Sequence, residues 1–159
     1  MSYREELSMK EKPTNELEEM LGNMKPNNLS EYYKENSIYM ADEKKAFYYY
    51  FKDIIDTKNM FLKDVYSFAG VTESWGSKIV RMEKHTKDRD HILRLCIAGH
   101  FSLEEINRAL KLYGMNPLYA KDKRDACFIV AINNRIYDLC EIDEILNAQG
   151  FAKLSVVKP

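Results

Sequence analysis

The sequence predicts an all-α fold, and three observations carry that prediction. Glycine and proline are scarce in the 159 residues, at 6 and 4, which leaves few positions for the turns of a β sandwich. Apolar residues recur at helical spacing along successive stretches. The C-terminal half repeats itself as two helical hairpins.

Size and charge narrow the functional classes. At 18.7 kDa the chain suits one domain with an appendage. The division expected is a partly flexible helical arm over residues 1–42 and a main helical domain over residues 43–159. Apolar residues make up 45% and charged residues 31%, a balance that argues against intrinsic disorder. No apolar run approaches the roughly 20 residues of a membrane span, and MSYREELSMKEK has no apolar signal core, so a cytosolic protein without a membrane partner is expected. Net charge is −1, so any hold on nucleic acid must come from a local basic patch rather than from bulk charge. Cys96, Cys127 and Cys140 lack CxxC spacing and stand in apolar surroundings. They are expected as buried free thiols, with no metal site.

Residues 13–21 read as a first short helix, with Asn15 as cap three residues before Glu18 and with Leu17, Met20 and Leu21 on one face. Residues 29–40 read as a second, starting at Ser30 and carrying the Tyr32-Tyr33 pair. The main domain opens with DEKKAFYYYFKDIIDTKN, where Phe47, Tyr50, Phe51, Ile54 and Ile55 form a buried stripe and Tyr48 and Tyr49 fall beside it. Phe61, Leu62, Val65, Phe68 and Ala69 repeat the spacing in the next helix, which Gly70 ends.

Residues 89–118 align with residues 124–154, the second copy being one residue longer; beyond that insertion an offset of 36 relates Leu103 to Leu139, Ile106 to Ile142, Leu110 to Leu146 and Gly114 to Gly150. Ser102 and Asp138 stand three residues before Glu105 and Glu141, the pattern of a reciprocal helix cap. Gly114 and Gly150 supply left-handed stops. The basic connector KDKRD, residues 121–125, could touch phosphate but reads first as a solvated loop whose last residue, Asp125, caps the helix that follows.

The stretch AGVTESWGSKIVRMEK, residues 69–84, carries the candidate chemistry. It turns at Ala69-Gly70-Val71-Thr72 and continues as a helix around residues 74–82. Trp75, Ile79 and Met82 share an inward face, while Ser74, Ser77, Lys78 and Arg81 share an outward face that contains no acid. A helix entering the major groove needs this: short hydroxyls that permit close approach, with Lys and Arg that reach guanine acceptors or phosphates. Thr72 would cap the helix and donate to a phosphate, and Lys84, His85 and Lys87 would meet the DNA backbone. A solvated surface stripe is the alternative explanation of the same pattern.

Enzyme signatures are absent. There is no phosphate-binding glycine loop and no Gly-x-Ser-x-Gly elbow. His85, His91 and His100 do not pair with carboxylates at ligand spacing, and His100 is expected to complement a helix C-terminus. Glu104, Glu105, Glu141, Asp143 and Glu144 read as first-turn helix charges. No catalytic residue, cofactor or metal is therefore expected.

The segments KDRDHIL, FSLEEINRALKLYGMNPLYAKDKRDACFIVAI and YDLCEIDEILNAQGFAKL resemble those of a divergent, Firmicutes-associated branch of the repressor-like helix-turn-helix superfamily, the Cro and XRE regulators. The resemblance spans roughly residues 15–154 and is most specific over the hairpin repeat. It implies a repressor-like helix-turn-helix bundle extended by tandem helical hairpins, and a transcriptional regulator that holds duplex DNA as a homodimer through the helix around residues 74–82. The sequence departs from the branch pattern at Trp75-Gly76-Ser77, in MEKHTK before the first Arg-Asp, and at Met60-Phe61-Leu62, where the superfamily carries Ser-Gln. A protein-protein interaction module that kept the fold without DNA binding, using the tandem hairpins with Tyr48, Tyr49 or Tyr32-Tyr33 to hold a partner or a second copy of itself, is the alternative.

Overall fold

The computed structural model describes residues 14–36 and 45–157. Among these residues every regular element is helical, and no helix is long and apolar enough to cross a membrane. The chain divides into two compact units, Met1–Asp42 and Glu43–Pro159.

The first unit holds α1 (Thr14–Gly22), a 3-10 turn (Pro26–Asn28) and α2 (Leu29–Glu35). Asn15 lies inside α1 rather than ahead of it, so it is not the cap the sequence suggested. Pro13 and residues 37–40 of the expected second helix lie outside the described residues.

The second unit holds α3 (Ala46–Thr57), α4 (Leu62–Phe68), α5 (Glu73–Val80), α6 (Arg89–Ala98), α7 (Leu103–Leu112), α8 (Lys123–Asn133) and α9 (Leu139–Ala148). Helices α6 and α7 form one hairpin and α8 and α9 the other, with α6 packed on α9 and α7 on α8. The first hairpin is covered by α3 against α7 and by α4 against α6. Phe47, Phe51 and Ile55 of α3 are fully buried, as the spacing predicts. The Phe51 ring lies 5.1 Å from Phe101, and the Phe47 ring meets Tyr113 edge-on at 4.8 Å. Gly99 makes room for α3: a Cβ there would sit 2.7 Å from the Ile55 side chain.

The stripe expected on α4 is corrected. Phe61 and Phe68 are 68% and 62% exposed, and the buried side is formed by Val65, Tyr66 and Ala69. Phe61 has extended backbone ahead of the first turn, out of helical register, and Tyr66 turns inward instead. The cysteines differ too: Cys96 is buried, Cys127 half-buried and Cys140 exposed.

Every helix of the second unit closes in the same way. The residues after the C-caps, Asn59, Gly70, Met82, His100, Gly114, Arg135 and Gly150, are left-handed. Each donates its N–H three residues back, and the next residue donates five residues back, as Gly70 does to Ser67 and Val71 to Tyr66. This satisfies carbonyls that the helix leaves open. The following residue is apolar in every case but α5, where it is Glu83. Four of the left-handed residues carry a side chain, a conformation that costs about 1–2 kcal/mol without glycine. Three of them, Asn59, His100 and Arg135, are exposed, the last at φ 57°. Arg135→Gly should therefore stabilise the fold by about 0.5–1 kcal/mol after the glycine's larger unfolded entropy is subtracted; thermal denaturation checks this, and a lowered Tm would contradict the strain.

N-caps follow the sequence with two corrections. Ser102 and Glu105 form the reciprocal cap, at 3.2 and 2.9 Å. Asp138 instead accepts from Cys140 N–H at 2.8 Å, one residue earlier than the reciprocal pattern requires. The cap of α8 is Asp122, which accepts from Asp125 N–H at 2.9 Å. Asp125 is thereby released for a different task.

That task is the pairing of the two hairpins. Arg124 grips Asp90 with two bonds of 2.9 Å, and Arg89 donates reciprocally to Asp125. The Asp90 carboxylate also accepts from Ser155 N–H at 3.0 Å, and Asp125 from Tyr119 N–H at 3.0 Å. Arg124 reaches the carbonyls of Ala152 and Lys153, and Arg89 those of Asn116 and Pro117. Asn107 and Asp143 each accept from the N–H of the leucine 11 residues on, Leu118 and Leu154. The two copies thus exchange equivalent Arg–Asp pairs across their interface, and each holds an equivalent leucine N–H bond within itself.

Candidate nucleic-acid interface

Four residues, 69–72, join α4 to α5, and Gly70 (φ 72°) permits the sharp exit from α4. Thr72 caps α5 as expected, its hydroxyl accepting from Trp75 N–H at 3.1 Å. The inward face is broader than expected: Ile79 and Val80 are buried, Trp75 is half-buried, and Gly76 is buried directly on the Tyr66 ring. Burial pushes the Tyr66 hydroxyl up to about 12, so that ring stays neutral. The Trp75 ring meets His91 of α6 edge-on at 5.3 Å, which fixes the rotation of α5 about its axis.

Helix α5 ends at Val80, two residues short of the Met82 expected from periodicity; Met82 is left-handed at φ 63°. The shortening leaves Met82 half-buried against the core while placing Arg81 at the C-cap, exposed. Thr72, Ser74, Lys78 and Arg81 are exposed and Ser77 is half-buried. They lie on α5 or its two caps, and this outward group contains no acid. Glu73 at the start and Glu83 beyond the end are also exposed. The Arg81 guanidinium lies 5.9 Å from the Tyr48 ring of α3, a cation–π contact that sequence reasoning did not assign.

The segment after α5 is pinned to the first hairpin. Thr86 N–H donates to the Tyr113 hydroxyl at 3.1 Å, the Thr86 hydroxyl pairs with His91 Nδ1 at 2.9 Å, and Asp88 N–H donates to Thr86 Oγ1 at 3.2 Å. His85, expected at the DNA backbone, stacks on Tyr113 with ring centres 4.6 Å apart. One face of its ring is engaged in anchoring the segment, while the residue as a whole stays exposed. Lys84 and Lys87 are exposed, and among the described residues neither they nor Lys78 forms an ion pair. Lys78 sits in the last turn of α5, where a cation complements the helix dipole.

The other candidate chemistry resolves into structure. His100 stacks on Tyr137 at 4.4 Å; burial, and then Lys58, lower its pKa below 6.5, so near neutral pH it is an uncharged ring and not the cationic dipole partner expected. Glu105 is engaged by Ser102 and by Lys58 at 3.2 Å. Burial pushes the Cys96 thiol up, which leaves it inert. Among the described residues no group of His, Cys, Asp and Glu is placed to hold a metal ion. The exposed members of the α5 stripe, with Lys84 and Lys87, remain open to solvent. No family model matches the chain, and neither a curated protein nor a solved structure matches it.

Proposed function

We propose that the chain is a non-enzymatic, cytosolic regulator that binds duplex DNA through α5, two copies acting together. The observation that carries this is the acid-free exposed stripe of Thr72, Ser74, Ser77, Lys78 and Arg81 on a short helix held rigidly by Gly76 and Trp75. Ser74 and Ser77 would face base edges, Arg81 and Lys78 guanines or phosphates, and Lys84 and Lys87 the adjacent backbone. An eight-residue helix covers one half-site, so a second copy supplies the remaining specificity. Lys78→Ala with Arg81→Ala should weaken duplex binding on the order of tenfold or more while the helical circular dichroism is unchanged. Unaltered affinity would refute this face.

A second reading is favoured by Phe61 and Phe68, two largely exposed aromatic rings at either end of α4. Phe61 occupies the start of the helix that precedes α5, where a DNA-binding helix pair needs a phosphate contact. On this reading the chain is an interaction module that binds a protein partner through α4. Retained DNA affinity in the α5 double variant together with lost partner binding in a Phe61→Ser, Phe68→Ser variant would favour it.

A further inference from the structure

Arg94 lies where the hairpins depart from their shared plan. The offset of 35 that pairs Arg89 with Arg124 places Ile129 opposite it in the second copy. Among the described residues its guanidinium meets no carboxylate and donates instead to carbonyls from two distant stretches. Nη1 donates to Ala69 O at 3.1 Å, at the C-cap of α4. Nε and Nη2 donate to Ser155 O at 3.2 and 3.1 Å, and Nη2 also to Leu154 O at 3.3 Å. Ser155 in turn donates both its N–H and its hydroxyl to Asp90, which Arg124 grips. An unbroken hydrogen-bonded path therefore runs from the centre of the hairpin pair, through Asp90, Ser155 and Arg94, to the turn that launches α5.

We propose that Arg94 is the positioning residue of α5. Its cation closes the carbonyl of Ala69, the C-cap of α4, where it also complements the helix dipole. Because the same guanidinium is held by residues 154–155, the turn at residues 69–72 is fixed to the C-terminal segment as well as to α6. The consequence for DNA rests on the proposed function of α5; the placement of α5 does not.

Amide hydrogen exchange on the full chain tests this without DNA. Arg94→Gln should accelerate exchange at Val71, Trp75 and Gly76, and at Ser155, on the order of tenfold, the loss expected when a few charge-assisted bonds are broken. Ile106 in α7 and Tyr113 at its C-cap should keep wild-type rates. Arg94→Lys, with one compact set of donors, should fall between the two and carries the test if the glutamine variant does not fold. Unchanged rates at residues 71–76, or equal acceleration in α7, would overturn the proposal. Local acceleration in a chain whose wild-type form shows no affinity for duplex DNA would support the positioning role while removing the DNA reading.

Discussion

Asp90→Ala should destabilise the second unit by about 3–5 kcal/mol, the cost of leaving a partly buried guanidinium without its carboxylate. Asp90 is 7% exposed and accepts from Arg124 twice and from Ser155 twice. Asp125→Ala removes fewer bonds, to Arg89 and Tyr119, and should cost less. The double variant should fall short of the sum, because both carboxylates hold one interface. The pH dependence has a definite sign. Burial pushes the Asp90 carboxyl up, but the Arg124 and Ser155 hydrogen bonds together outweigh it and hold the group below its ordinary 3.8. A lowered folded-state pKa stabilises above the unfolded value, and the contribution is lost as pH falls through the folded value. The gap between wild type and Asp90→Ala should therefore be full above about pH 4 and narrow below it. Denaturant unfolding across pH checks both parts; a gap that widens in acid would contradict the assignment.

Gly76→Ala should cost about 2–3 kcal/mol, at the upper end for one added methyl in a packed interface. A Cβ at Gly76 would lie 2.6, 2.8 and 2.9 Å from three carbons of the Tyr66 ring, and that ring is itself buried between α4 and the rest of the unit. The helix propensity gained by alanine, about 1 kcal/mol, opposes this and does not cancel it. On the proposed function, the same variant should also tilt α5 and weaken duplex binding without touching any exposed residue of the stripe. Alanine accepted with no loss of Tm would mean that α4 and α5 do not approach this closely.

The parts legible in sequence share one property: their signal is local. The stripe of Phe47, Phe51 and Ile55, the caps at Thr72 and Ser102, and the stops at Gly70, Gly114 and Gly150 each follow from a few neighbouring residues. Asn59 and His100 belong to the residue types that tolerate the left-handed region, and a helix end at each was legible; the stops at Met82 and Arg135 were not, because those side chains carry no such preference. The apolar residue just after most of these four, such as Met60, Phe101 and Ile136, was the available clue. The exposure of Phe61 and Phe68 was misjudged for a related reason: on a helix of seven residues, several apolar stripes fit the spacing, and tertiary contact with α6 selects one.

Non-local charges were the larger omission. Arg89-Asp90 and Arg124-Asp125 occupy equivalent positions in the repeat, and two acids at positions that periodicity buries demand cations. The pairing across copies could have been drawn from that demand alone. Of the candidate interface, Thr72, Ser74, Lys78, Arg81, Lys84 and Lys87 stand in the open as the sequence placed them. Ser77 is partly covered and the ring of His85 is engaged by Tyr113, a contact 28 residues away in sequence that spacing does not encode. Tyr48, Gly76 and Arg94 act on α5 through packing and main-chain carbonyls, which leave no motif.

The central claim is that α5 faces duplex DNA, and a fluorescence anisotropy titration of the full chain with duplex DNA at several salt concentrations tests it most directly. Four cations, Lys78, Arg81, Lys84 and Lys87, should give a log–log salt slope of roughly −3 to −4 per copy engaged. Folded protein that fails to bind at low salt, or binds without salt dependence, would contradict it.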